Sequence, residues 1–221
     1  GKIILDEGWE KIGRNAFANA DITEIEFPST LKEIESSAFF GLKNLEKVKI
    51  PSNVTTINYN AFQRNGMRIV IDCTEFDSKP SGWDPYWNAG QTALFKNSVY
   101  DDEFVYNDET KTSIIALRDK SKGEYTFPKS VKTIGAYVFS YTENITDLVI
   151  PEGIEVLSYS SIDNNLDLKS LSLPSTLKEI GGYAIQYCQF LSEVKYNGTK
   201  AEWETIKKGR ERHSNTPCTK I

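Results

Sequence analysis

The sequence predicts a repeat solenoid, mainly β with short helical or 3₁₀ turns. Three observations carry that prediction. The heptapeptide Pro-Ser-Thr-Leu-Lys-Glu-Ile stands at 28–34 and again at 174–180. Prolines 28 and 51 are 23 residues apart, as are 128 and 151, and 151 and 174. Apolar residues recur at fixed offsets from each proline. A fixed period in the twenties marks stacked coils, because one coil cannot bury its apolar face alone and its neighbours complete the core.

Six copies are visible: an opening one without proline at 6–26, then those that begin at Pro28, Pro51, Pro128, Pro151 and Pro174. Counting the proline as zero, apolar residues fall at +3, +6, +11, +17, +20 and +22, which are Leu31, Ile34, Phe39, Leu45, Val48 and Ile50 in the second copy. The Leu31/Ile34 pair suits a short extended run that bends at the proline. Ala-Phe at 16–17, 38–39 and 61–62 suits a tight helical or 3₁₀ turn that packs one side chain inward. Val48/Ile50 has period two, the pattern of a strand with one buried face.

From Pro51 to Pro128 the spacing breaks register. We read 1–72 as a first array of three coils and 126–196 as a second array of three. Residues 73–125 form an irregular aromatic joint or cap, and 197–221 a C-terminal cap and tail. The joint holds Trp83, Trp87, Phe95 and a hairpin, FVYNDETKTSIIAL, turning near Asn107–Thr110. Solenoid ends need covering, and Trp83 and Trp87 are expected to pack on the end of the first array.

The copies resemble the BspA-type leucine-rich repeat of bacterial surface and secreted proteins, whose pattern is IPxxVxxIxxxAFxxCxxLxxIxI. The likeness covers 6–72 and 126–196, with further echoes in SKPSGWDPYWN (78–88) and YNGTKAEWETIKKG (196–209). It implies a leucine-rich-repeat-like right-handed coil and a secreted or cell-surface location. The chain departs from the pattern at the turn cysteine, which only Cys188 supplies; Asn19, Leu42, Asn65, Thr142 and Asn165 fill that position elsewhere.

Composition excludes several functions. The net charge is −5, with Lys and Arg scattered among Asp and Glu, so no basic stripe suits nucleic acid. No run of about 18 apolar residues points to membrane insertion. The opening GKIILDEG reads as a trimmed start, which leaves an upstream export signal open. Cys73, Cys188 and Cys218 match no metal spacing and read as free buried thiols. The single histidine, His213, lies in a polar tail beside Cys218, a poor place to hold catalytic geometry. The acidic cluster at Asp101, Asp102, Glu103, Asp108 and Glu109 lacks the ligand spacing of a calcium loop and reads as a solvated edge. No catalytic, cofactor-binding or metal-ligating residue is assigned.

Alternating charge at Glu10/Lys32 and Lys132/Glu155/Lys178, with Lys11/Glu33 one residue on, predicts a cross-coil ladder. What remains for function is the outward pair around each +20 position. These pairs are Glu24/Glu26, Lys47/Lys49, Ile69/Ile71, Asp147/Val149, Ser170/Ser172 and Glu193/Lys195. Stacked, they form a ribbon two side chains wide. The reading is a monomeric, non-catalytic extracellular binding or adhesion module without a cofactor, whose ribbon meets a protein or glycan partner, host-derived if the resemblance holds. The alternative is a passive spacer or display segment of a larger surface protein; an enzyme is the least favoured. Ile69/Ile71, two large apolar residues, are expected to be covered by the joint that follows.

Overall fold

The computed structural model describes residues 1–45, 47–63 and 69–209. It contains two compact units, Gly1–Ser98 and Val99–Ile221. The first unit holds strands β1 (Lys2–Ile4), β2 (Lys11–Ile12), β3 (Glu24–Glu26), β4 (Glu33–Ile34), β5 (Lys47–Lys49), β6 (Thr56–Ile57), β7 (Val70–Cys73) and β8 (Thr92–Phe95). They form two parallel sheets, β1-β3-β5-β7-β8 and β2-β4-β6. The coils β2–β3, β4–β5 and β6–β7 each contribute one strand to each sheet, so the repeat period becomes the sheet register: Ile3 opposite Ile25, Val48 opposite Ile71, Ile12 opposite Ile34, Ile34 opposite Ile57. Burying such a column gains about 1.5–3 kcal/mol per Ile, Leu or Val.

The Ala-Phe turns stack as well. Phe17 and Phe39 lie 5.4 Å apart and Phe39 and Phe62 5.0 Å apart, with nearly parallel rings. Trp87 meets Phe62 edge-on at 5.8 Å and closes the column. Trp83 is buried beside it, donates its indole N–H to the Val54 carbonyl at 3.2 Å and bridges Ile57. Both tryptophans are therefore core residues of the last coil.

The second unit holds β9 (Val99–Tyr100), β10 (Phe104–Tyr106), β11 (Ser113–Leu117), β12 (Thr133–Ile134), β13 (Asp147–Val149), β14 (Val156–Leu157), β15 (Ser170–Leu173), β16 (Glu179–Ile180), β17 (Glu193–Tyr196), helix α1 (Lys200–Thr205) and β18 (Lys207–Lys208). One sheet runs β18-β16-β14-β12-β11-β10-β9 and the other β13-β15-β17. The β9-β10-β11 portion is antiparallel and the rest parallel. Helix α1 starts on a capping box in which Thr199 and Glu202 satisfy each other's backbone N–H. Its Trp203 packs 5.3 Å from Tyr196.

The division between units falls at Ser98, inside the stretch read as a joint. Residues 73–98 add β8 to the first sheet, and β11 from the hairpin pairs in parallel with β12 of the second unit. Both halves are thus irregular coils whose strands keep the stacking although their sequence loses the proline pattern.

The duplicated heptapeptide has a shared partner. In the first unit the Glu7 carboxylate accepts hydrogen bonds from Ser29 N–H (2.9 Å), Ser29 Oγ (3.0 Å) and Thr30 N–H (3.3 Å). In the second, Glu152 accepts from Ser175 N–H (2.9 Å), Ser175 Oγ (2.9 Å) and Thr176 N–H (3.3 Å). Gly8 and Gly153 each donate N–H to the threonine hydroxyl at 2.9 Å. Their φ values of 102° and 101° are open to glycine and disfavoured for other residues. The heptapeptide is a socket, and the Glu-Gly of the preceding coil is its plug.

Candidate interaction surface

The ribbon exists on each unit and follows from strand alternation. In β3 and β5 the central residues, Ile25 and Val48, are buried, while Glu24, Glu26, Lys47 and Lys49 point out and are exposed. In the second unit Asp147 and Val149 are exposed, Ser170 and Ser172 half-buried, and Glu193 and Lys195 exposed. Backbone pairing sets Glu24 beside Lys47, and Asp147 beside Ser170 beside Glu193.

One pair is corrected. Ile69 and Ile71 are 1% and 0% exposed and belong to the core. The outward residues of β7 are Val70 and Asp72, paired with Lys47 and Lys49. Ile69-Val70-Ile71 is apolar throughout, so period two fits either phase by composition alone. The pair therefore needs no cover from the joint.

Electrostatics tie the first ribbon together. Lys2 Nζ reaches Glu24 at 3.2 Å and Glu26 at 2.5 Å, and those carboxylates raise its pKa. Lys49 Nζ lies 2.6 Å from Glu75, which also accepts Ser52 N–H at 2.9 Å; the Lys49 bond holds the Glu75 carboxyl below its usual range. Where the ribbon meets the proline turn, a half-open cleft of about 390 Å³ is lined by Glu7, Glu26, Phe27, Lys49, Pro51 and Glu75. Each of its carboxylates accepts from a neighbouring coil. On the other sheet the expected ladder forms, with Lys32–Glu10 at 2.7 Å, Lys11–Glu33 at 3.4 Å, Lys178–Glu155 at 2.6 Å and Lys132–Glu155 at 3.9 Å. Such exposed pairs add little stability singly.

Two thiols are unsuited to nucleophilic chemistry. Cys73 and Cys188 are free and buried, and burial pushes Cys73 upward and Cys188 to about 11. His213 and Cys218 lie outside the described residues. The acidic stretch is more than a solvated edge. Asp101 accepts from Tyr106 Oη and from the N–H groups of Glu103 and Phe104, and Glu103 binds Thr126 N–H and Lys122. Among the described residues no group of three or more His, Cys, Asp and Glu could hold a metal ion. No helix among them is long and apolar enough to cross a membrane. One surface escaped the sequence reading although its signal is plain: Gly-x-Tyr-x-x-x-Tyr stands at 135–141 and 181–187, two coils apart.

Stacked parallel strands with short turns, an inward apolar column and an outward ribbon define a leucine-rich-repeat β-solenoid. The model of the BspA-type leucine-rich repeat region matches residues 2–77 and 116–209 in six copies, more than half of the chain, and the chain belongs to that family. Among solved structures it is similar to a leucine-rich repeat protein from Eubacterium ventriosum (22% identity, TM-score 0.65, 90% of this chain and 54% of that one). It is also similar to the pneumococcal vaccine antigen PcpA (21% identity, TM-score 0.49, 91% and 57%). A leucine-rich cell surface protein from Faecalibacterium prausnitzii matches at 17% identity and TM-score 0.47, covering 93% and 62%. The chain therefore spans between 54% and 62% of the length of these three. No curated protein matches it.

Proposed function

We propose that this chain is a non-catalytic binding module of a secreted or cell-surface protein, and that a protein or glycan partner docks on its strand ribbon. The observation that carries this is the ribbon of the first unit: Glu24, Glu26, Lys47, Lys49, Val70 and Asp72 stand outward from adjacent strands on a rigid parallel sheet. Solenoids bind along such surfaces because area is plentiful and no pocket is needed. Membership of the BspA-type family supports the surface location. The second unit offers the corresponding row Asp147, Val149, Ser170, Ser172, Glu193 and Lys195.

A second reading has an observation of its own. The ion pairs of Lys2 with Glu24 and Glu26, and of Lys49 with Glu75, satisfy ribbon charges within the chain, as a passive spacer requires. Array screening against host-matrix proteins and glycans separates the two, since a spacer shows no preferred ligand. For a protein partner found that way, Lys47→Glu/Lys49→Glu should weaken binding about tenfold or more at low salt and less at high salt. Reversal at Lys49 also sets two acids face to face at Glu75, so a small drop in Tm should accompany it. Equal binding by the double variant at low salt removes the first ribbon as the site.

A further inference from the structure

We propose that one corner of the second unit, formed by Tyr141, Tyr159, Tyr183, Tyr187 and Phe190, binds an uncharged, flat oligosaccharide of equatorially linked pyranoses. This site is separate from the strand ribbon and does not rest on it. Backbone hydrogen bonds set the corners of three coils in register: Tyr137 N–H to Tyr159 O at 3.3 Å, Ser160 N–H to Gly182 O at 3.0 Å, Tyr141 N–H to Asp163 O at 3.2 Å and Asn164 N–H to Gln186 O at 2.9 Å.

The backbone at these corners is left-handed. In the first unit the fold fills such positions with Asn15, Asn19, Ser37, Gly41 and Asn60, at φ between 55° and 73°. Small residues and Asn tolerate that region, whereas a bulky side chain there is disfavoured. In the second unit Tyr137, Tyr141, Tyr183 and Tyr187 adopt φ of 60°, 55°, 59° and 57°. The coil needs the left-handed turn; the Tyr137 ring is also part of the packed interior, whereas the Tyr187 ring is largely exposed. Strain of this kind concentrates where a surface is used.

The rings are arranged along the stack. Tyr137 meets Tyr159 edge-on at 5.6 Å, and Tyr159 meets Tyr183 edge-on at 5.5 Å. Tyr137 is buried and anchors the row, while Tyr159 and Tyr183 are half-buried. Tyr187 and Phe190 are 61% and 65% exposed, with Leu166 at 50% nearby in the preceding coil. Exposed aromatic surface so concentrated calls for a ligand that covers it.

Charge selects which ligand. The segments 135–142, 158–166 and 181–190 contain no Lys or Arg, and their one carboxylate, Asp163, is buried. The matching corners of the first unit carry Arg14 and Glu35. A nucleic acid or an anionic membrane needs cations here, and a typical protein partner brings a charged rim. Aromatic rings beside neutral amides, Asn164 and Gln189, suit a pyranose, which offers apolar C–H faces for stacking and a rim of hydroxyls for hydrogen bonds. Tyr141 and Tyr187 are two coil steps apart, about 9.6 Å at the strand spacing, roughly the length of a disaccharide. The ligand therefore runs along the stack.

The test is titration of the full chain with cellohexaose and with chitohexaose, by calorimetry and saturation-transfer NMR, at about 0.05 M and about 0.5 M salt. Binding of at least one hexasaccharide is expected, with no loss at the higher salt. Tyr187→Ala/Phe190→Ala should weaken it about tenfold or more at unchanged Tm, because both side chains are exposed. Lys47→Glu/Lys49→Glu should leave it intact. Tyr187→Asn should lose binding while melting at the same temperature or higher, because Asn tolerates the left-handed backbone. The proposal is overturned if neither hexasaccharide binds, if the Ala double variant binds as well as wild type, or if salt abolishes binding. A lower Tm for Tyr187→Asn overturns it too, since the ring would then be holding the fold.

Discussion

Lys120 shows how much one residue can hide from sequence reading. It is 2% exposed, and its Nζ donates to the carbonyls of Ser140 at 2.7 Å and Tyr137 at 3.3 Å. It heads a column with one donor per coil. Thr142 Oγ1 donates to Phe139 O at 3.1 Å, Asn165 Nδ2 to Phe139 O at 2.8 Å and Ile162 O at 2.7 Å, and Cys188 Sγ to Ile162 O at 3.3 Å. In the second unit the turn cysteine is therefore one of several donors that fit this column, as Thr142 and Asn165 are, whereas Leu42 fills the position in the first unit with an apolar side chain. Lys120 was invisible because no proline precedes it to set the count. Burial lowers its pKa to about 7 from 10.5. Between those values the unfolded chain holds a proton that the folded chain does not, so stability rises with pH. From pH 7 to about 9.5 the second unit should gain about 2–3 kcal/mol from this group. Lys120→Met should lose that gain, and the difference between the two proteins cancels the opposing titration of buried Cys188. Equal pH slopes for Lys120→Met and wild type in thermal melts would show the amine is not held in its unprotonated form.

At the scale of elements, the repeat period was legible and the meaning of the heptapeptide was not. Apolar offsets predict Ile34, Phe39 and Val48 as core because burial depends only on spacing, and all three are fully buried. Strand phase fails at Ile69-Val70-Ile71, where both faces are apolar and composition cannot choose between them. The Glu-Gly plug lies about 22 residues before its socket, in a different coil, so nothing local marks Glu7 and Glu152 as its partners. The socket makes a specific claim about coil docking. Glu152→Ala leaves the Ser175 and Thr176 N–H groups without their carboxylate, and should cost about 1–2 kcal/mol. Ser175→Ala should cost less, and the two losses should not add, because they remove the same bond. Additive losses in a double-mutant cycle would mean that the carboxylate and the hydroxyl act separately.

For the molecule as a whole, each unit closes an apolar core of its own. The first core runs from Ile12 through Phe39 and Phe62 to Trp83 and Trp87, the second from Phe104 through Ile134 and Leu171 to Ile206, and they share no residue. Ile134 is fully buried in β12, between Ile114 of β11 and Leu157 of β14. Ile134→Asp places a carboxylate there with no cationic partner in register, which costs several kcal/mol against a total stability of about 5–15 kcal/mol. The second unit should lose its protected amides in hydrogen exchange. Trp9, Trp83 and Trp87 belong to the first unit, and the two buried ones should keep blue-shifted emission that resists an added quencher, because they pack in the first core against Phe62, Phe76 and Phe95. Trp203 alone should move to the red. If Ile134→Asp instead shifts the whole emission band and exposes Trp83 and Trp87 to quencher, the chain folds as one cooperative stack and the separation of the two cores carries no thermodynamic weight. If neither emission nor exchange changes, the inward register assigned to β12 is wrong.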